Sequence, residues 1–213
     1  MNQPLSQAAI AQFMRDGIEM KKAIDVLLVH VEQTYGLFHD SVQGWHRLSE
    51  LFEGLVKQEM AKGMPREQAL KSTLIHGKGT PEVGEALHLS TLGDRLNACA
   101  SGGQNEITLS NLCLISIYSH WEDRARNEIA KALRIDGNSV QSDLFGDIAK
   151  MRNAILHAGG VIGASARALK VLKWFSSGDR VLINREKLHD VIKLIRQFPE
   201  GLYTPGYDPS KVF

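Results

Sequence analysis

Five large apolar residues, Ile24, Val31, Phe38, Trp45 and Phe52, recur at every seventh position. Seven residues are close to two turns of α-helix, so the five share one helix side. Leu27, Leu48 and Leu55, with Leu28, Tyr35, Val42 and Val56, widen that line into a broad stripe. A stripe of this width has to be buried, and it reads as bundle core rather than as a partner-binding surface. Gly36, Gly44 and Gly54 each weaken the pattern, so one long helix with a bend, or two stacked pieces, is expected before Gly63.

Beyond this arm the pattern stays helical. A short helix is expected over Pro65–Ile75, a loop at 76–81, and a helix from about Glu82 to Ala98. The run 100–105 is the strongest loop signal, and Thr108 or Ser110 is a candidate cap for a helix reaching about Leu133. Asp136-Gly137-Asn138 reads as a turn. Ser142 or Asp143 then caps a helix that stops at Gly159-Gly160. Two more helices are expected, from about Ala164 to Phe175 and from an Asn184 cap to Phe198, around a β-like run at 180–183. The expected fold is therefore all-α, a helical bundle with an N-terminal arm and at most one short β-like segment. Its parts are the arm at 1–63, short helices and loops at 64–107, a helical core at 108–198 and a tail at 199–213.

Composition narrows the function classes. Among 213 residues, 25 Lys plus Arg face 24 Asp plus Glu, a net charge of +1, which argues against a protein that coats nucleic acid broadly. The charge is unevenly spread. Residues 150–196 hold 10 Lys plus Arg against Asp179, Glu186 and Asp190, a local +7 suited to gripping a few phosphates. The most apolar stretch, Leu112–Tyr118, is too short to span a bilayer, so no membrane association is expected. The first seven residues lack a basic segment followed by an apolar one, and a cytoplasmic location is expected. Two cysteines, Cys99 and Cys113, make neither a disulfide framework nor a CxxC-type zinc site.

Few residue patterns offer chemistry. His76-Gly77-Lys78-Gly79-Thr80 departs from a phosphate-binding loop at Ser72 and Gly79, and reads as a plain turn. His46 and Glu50, four apart, read as a surface pair rather than a metal site. The remaining candidate is Arg152-Asn153-Ala154-Ile155-Leu156-His157. On a helix Asn153 and His157 share a face, while Arg152, about 100° from Asn153, is long enough to reach the same pocket. Imidazole moves a proton, guanidinium braces a phosphate and an amide orients one of them. The bare Arg–His spacing is expected about once by chance in this composition, so the flanking residues must carry the specificity.

Those flanking residues are Ala158-Gly159-Gly160 after the motif and Tyr118-Ser119-His120-Trp121-Glu122 some thirty residues before it. Together with the 178–183 run and the closing helix, they make residues 108–198 resemble the HEPN superfamily of small helical bundles, specifically a bacterial defence- or toxin-associated branch. The resemblance implies a homodimer that places two Arg–His motifs in one cleft and cleaves RNA without a metal or other cofactor. Attack by the RNA 2′-OH would leave a cyclic phosphate. His157 would be the acid/base, Arg152 the phosphate stabiliser, Asn153 the residue that positions them, and Glu122 the acidic residue of the partner helix, with Arg126 as its i, i+4 neighbour. Many members are toxins or defence nucleases, which makes an antitoxin or neighbouring-gene protein a candidate partner. Others are non-catalytic modules that dimerise or bind a protein or nucleotide, and that alternative stays open. Lys150, Arg126, Arg167 and Lys170, with Lys173, are candidates for guiding the RNA backbone. Trp121 reads as core with Ala125, Ile129 and Leu133, not as a base-stacking platform, and His120 reads as exposed.

Overall fold

The computed structural model describes residues 6–78, 84–163 and 169–201. The protein is mostly helical. Its elements run α1 (Gln7–Ala61), α2 (Arg66–Leu70), β1 (Thr73–Lys78), β2 (Glu85–Thr91), α3 (Leu92–Cys99), α4 (Gln104–His120), a π-helical turn (Trp121–Ala125), α5 (Arg126–Leu133), α6 (Asp143–His157) and α7 (Arg185–Gln197). The chain divides into two compact units, Met1–Gly36 with Ser110–Phe213, and Leu37–Leu109.

The heptad stripe is one continuous helical element, which settles the choice between one helix and two stacked pieces. Gly36, Gly44 and Gly54 all lie inside α1, and an added Cβ would meet nothing within 4 Å at any of them. Ile24, Leu27 and Val31 are buried in the first unit, and Phe38, Val42, Phe52 and Val56 in the second.

α4, the π-turn and α5 form an uninterrupted helical run from Gln104 to Leu133, of which the part from Ser110 onward belongs to the first unit. Thr108 and Ser110 therefore sit inside a helix rather than capping it, and the Thr108 hydroxyl accepts from the Gln104 amide at 2.9 Å. Trp121 is fully in the core. Its ring stacks on Phe145 of α6 with centroids 4.2 Å apart, and Phe198 meets both rings edge-on at 5.3 Å. Rings of this size each bury a large apolar area, and the offset and edge-on contacts add about 0.5–1.5 kcal/mol per pair. The expected caps at Ser142 and Asn184 are present, accepting from the backbone N–H of Phe145 and Lys187.

The expected helix at 164–175 is not formed where it can be described. Residues 164–168 lie outside the described residues, and 169–175 are bends and turns. Their backbone is claimed by a buried carboxylate instead. Asp147 of α6 is 0% exposed and accepts the N–H groups of Lys170, Val171 and Leu172 at 3.0, 2.7 and 3.0 Å. Those three donors satisfied by one side chain replace the ladder a helix would have supplied. The 180–183 run is likewise no strand, contributing a single bridge between Arg180 and Val161.

The second unit holds the strands, where helix to Ile75, a loop at 76–81 and helix from Glu82 are expected; 76–78 is strand rather than loop, and 79–83 lie outside the described residues. β1 and β2 pair antiparallel, with Ile75 opposite Leu89, His76 opposite His88, and a bulge between His76 and Gly77. The sequence Leu87-His88-Leu89-Ser90 fits both a helical and an alternating period, and the expectation chose the wrong one. The helix begins ten residues later than expected because Thr91 and Asp94 form a reciprocal cap. The Thr91 hydroxyl accepts the Asp94 N–H, and the Asp94 carboxylate accepts the Thr91 N–H, both at 3.1 Å. The short helix expected to run from Pro65 to Ile75 spans Arg66–Leu70. One core cluster of this unit gathers Phe52, Val56, Ala69, Leu92 and Cys99, with Trp45 and Leu55 packed against it.

Candidate functional site

The motif lies on the second half of α6, in the first unit. Ile148, Met151 and Ala154 bury one face of this helix, which fixes Arg152 beside that face and leaves Asn153 and His157 exposed. α6 ends at His157. Gly159 and Gly160 both have positive φ, +59° and +82°, which glycine adopts without steric cost, and the Gly160 N–H returns to the Ala154 carbonyl at 2.9 Å. The helix stop is thus built into the two residues that follow the motif.

Arg152 faces α4. Its guanidinium carbon stands 6.0 Å from the centroid of the Tyr118 ring, and its Nη1 donates to Asn153 Oδ1 at 2.9 Å. Its Nε is buried without a hydrogen-bond partner. Tyr118 is buried and its hydroxyl bonds Glu122, which in turn lies 3.9 Å from Arg126. Burial, then the Glu122 hydrogen bond and charge, push the Tyr118 phenol up to about 12, with Arg126 and Arg152 opposing the shift. Four of the sequence candidates, Arg152, Asn153, Glu122 and Arg126, are therefore gathered around one tyrosine. Tyr118 itself entered the sequence reading only as part of the flanking run; its i, i+4 spacing to Glu122 was the available signal.

His157 is not joined to that cluster by any hydrogen bond or ring contact among the described residues. It is five residues beyond Arg152, about 7.5 Å along the helix axis and on Asn153's side of it. Two of the proposed backbone guides are engaged by acids. Lys150 pairs with Asp147 at 3.2 Å, and Lys170 pairs with Asp143 at 2.6 Å. Arg167 lies outside the described residues.

His120 is a correction to the sequence reading. It is half-buried, and its ring stacks on His30 of α1 with centroids 4.3 Å apart. His30 Nε2 in turn lies 3.1 Å from the Ser116 hydroxyl. Burial, and then the charges of His30 and Arg124, hold the His120 imidazole below its ordinary value. Cys113 is buried, and desolvation pushes its thiol up to about 11, so it is not a nucleophile near neutral pH.

No group of three or more His, Cys, Asp or Glu residues with the spacing of a metal site occurs among the described residues, and none of the described helices is long and apolar enough to cross a membrane. No protein-family model matches the chain, and no match is found among curated proteins or solved structures.

Proposed function

We propose that the protein is a metal-independent endoribonuclease of HEPN type, acting in the cytoplasm as a homodimer, with RNA as substrate. The observation that supports this best is the gathering of Arg152, Asn153, Glu122 and Arg126 around Tyr118, one and a half helical turns from the exposed His157. A phosphate near Asn153 would meet a guanidinium already oriented by the tyrosine face and the amide. In the reaction the RNA 2′-oxygen attacks the adjacent phosphorus while one imidazole takes its proton. The P–O5′ bond breaks, and the departing oxygen receives a proton from a second imidazole, leaving a 2′,3′-cyclic phosphate and a 5′-hydroxyl. One chain carries one His157, so two copies are needed to supply both acid and base. Arg152 stabilises the charge that develops on the equatorial phosphate oxygens.

The test is incubation of mixed RNA with the protein in EDTA, wild type beside His157→Ala and Arg152→Ala. Cleavage to cyclic-phosphate ends by wild type, lost by at least about a hundredfold in either variant, is expected. Intact RNA with wild type, or equal cleavage by all three, overturns the reading.

A second reading is a non-catalytic module of the same type that dimerises and binds a protein, such as an antitoxin or neighbouring-gene product, or a nucleotide. The engagement of Lys150, Lys170 and Arg152 by Asp147, Asp143 and the Tyr118–Asn153 pair favours it, because these cations then serve the fold. Growth arrest on expression that is relieved by His157→Ala selects the nuclease. Unimpaired growth with a stable protein complex selects the module.

A further inference from the structure

The helical run that carries Tyr118 and Glu122 has a second functional-looking side. A cavity of about 810 Å³ opens in the first unit between the early turns of α1 and the stretch from His120 to Arg134. Its size falls in the range of small-molecule sites. It borders the π-helical turn, where the Arg126 N–H reaches back five residues to the Trp121 carbonyl. The Asn127 side chain supports that wide turn by donating to the carbonyls of Glu122 and Asp123 at 3.3 and 3.1 Å. A Cβ at Gly137 would come within 3.0 Å of Asn127 Oδ1, so glycine there keeps the amide in place. Single π-turns inside α-helices occur often at functional sites.

The charges around the cavity do not cancel. Its three acids are each matched: Asp16 receives both Arg134 guanidinium nitrogens at 2.9 and 3.0 Å, Glu19 takes Lys22 at 2.6 Å, and Glu128 lies 3.9 Å from Lys131. Two guanidiniums remain. Among the described residues, Arg15 makes side-chain hydrogen bonds to the neutral Gln12 alone, at 2.7 and 3.2 Å, with Asp16 acting on it only through its charge, and Arg124 has no hydrogen-bond or ion-pair partner. His120 also lines the cavity, with its ring stacked on His30 and its Nε2 buried without a hydrogen-bond partner among the described residues. Beside these groups, Ile18 and Val26 line the same cavity yet are 54% and 40% exposed, so its wall is apolar as well as cationic.

We propose that this cavity binds a small organic anion, a phosphate- or carboxylate-type head group on an apolar body, with Arg124 and Arg15 on the head and Ile18 and Val26 against the body. Two free guanidiniums suit one head group bidentately.

Isothermal calorimetry on the full chain tests this with phenyl phosphate, inorganic phosphate and phenol as probes. Phenyl phosphate is expected to bind at least about tenfold more tightly than either fragment. Arg124→Gln, at an exposed position that leaves the fold intact, is expected to weaken phenyl phosphate by about tenfold or more, the worth of a charged hydrogen bond. Ile18→Ser is expected to weaken phenyl phosphate while leaving inorganic phosphate unchanged. Absence of phenyl phosphate binding, equal affinity for inorganic phosphate, or an Arg124→Gln variant that binds like wild type would each overturn the proposal. None of these readouts depends on RNA cleavage.

Discussion

The two units solve the same problem, keeping polypeptide folded, by different means. The first anchors irregular chain with buried polar groups: Asp147 holds three backbone N–H groups, and Asp16 holds Arg134. The second has a core cluster of Phe52, Val56, Ala69, Leu92 and Cys99 and a two-stranded hairpin whose residues are almost all exposed, with Ile75, Leu87 and Leu89 at 61%, 68% and 61%. An isolated hairpin is marginal in water. Polar anchors make a unit fail sharply when one partner is lost, whereas a thin core makes a unit fray locally.

The largest effect expected from this contrast is at Asp147. Asp147→Ala removes the buried acceptor shared by three backbone N–H groups and paired with Lys150, and should cost about 3–5 kcal/mol in denaturant unfolding. A loss below about 1 kcal/mol would show that the anchor is replaceable by water. Next comes Leu92→Ala in the second unit's core, expected to cost about 2–4 kcal/mol. Its signature is regional: hydrogen exchange should accelerate in β1 and β2 and stay unchanged in α6 and α7. Uniform acceleration would erase the distinction between the units.

Arg134 offers a finer test, because it combines an anchor with backbone strain. It caps α5 in the left-handed region, φ 55° and ψ 41°, while pairing with buried Asp16. Arg134→Ala should lose about 2 kcal/mol, and Arg134→Gly about 1 kcal/mol less, since glycine adopts that conformation freely. Burial by itself would raise the Asp16 carboxyl, but the hydrogen bonds from Arg134 and Gln12 outweigh it and hold the group below its ordinary value. A depressed carboxyl contributes stability that is present above its unfolded pKa, about 3.9, and lost as pH falls through the folded value. The gap between wild type and Arg134→Ala should therefore be full at pH 7 and close below about pH 4.

His120 gives a smaller effect with its own pH window. Because its imidazole is depressed in the folded state, stability is fully present above the unfolded pKa of about 6.5 and declines as pH falls. His120→Gln should flatten the melting-temperature profile between pH 7 and 5, by under about 1 kcal/mol. The smallest effect is expected at Ile75→Thr, within about 0.5 kcal/mol, because that side chain is mostly in solvent. A loss above 1 kcal/mol would mean that the hairpin's apolar face is covered.

Periodicity and capping were legible wherever a single signal dominated. The seven-residue stripe, the Ser142 and Asn184 caps and the Gly159-Gly160 stop all read directly from residue types. The hairpin was not, because Leu87 and Leu89 satisfy two periods and only the pairing with β1 decides between them. The turns at 169–175 were not legible either, since what replaces their helix is Asp147, distant in sequence and indistinguishable there from a surface acid. At the candidate site, Arg152 and Asn153 were readable as neighbours. That Tyr118 gathers them with Glu122 depends on how α4 and α6 pack, which spacing within one helix does not encode.

The order in which the chain leaves the ribosome gives the α1 arrangement a further meaning. Leu37–Leu109 is continuous in sequence, so that unit can complete its contacts as soon as Leu109 has emerged. The first half of α1 must wait for residues beyond Ser110, such as Cys113, whose thiol reaches the Thr34 carbonyl. A second unit folded at that stage would act as a nascent-chain staple, shortening the effective loop between Gly36 and Ser110 and so lowering the closure entropy that the waiting helix must overcome.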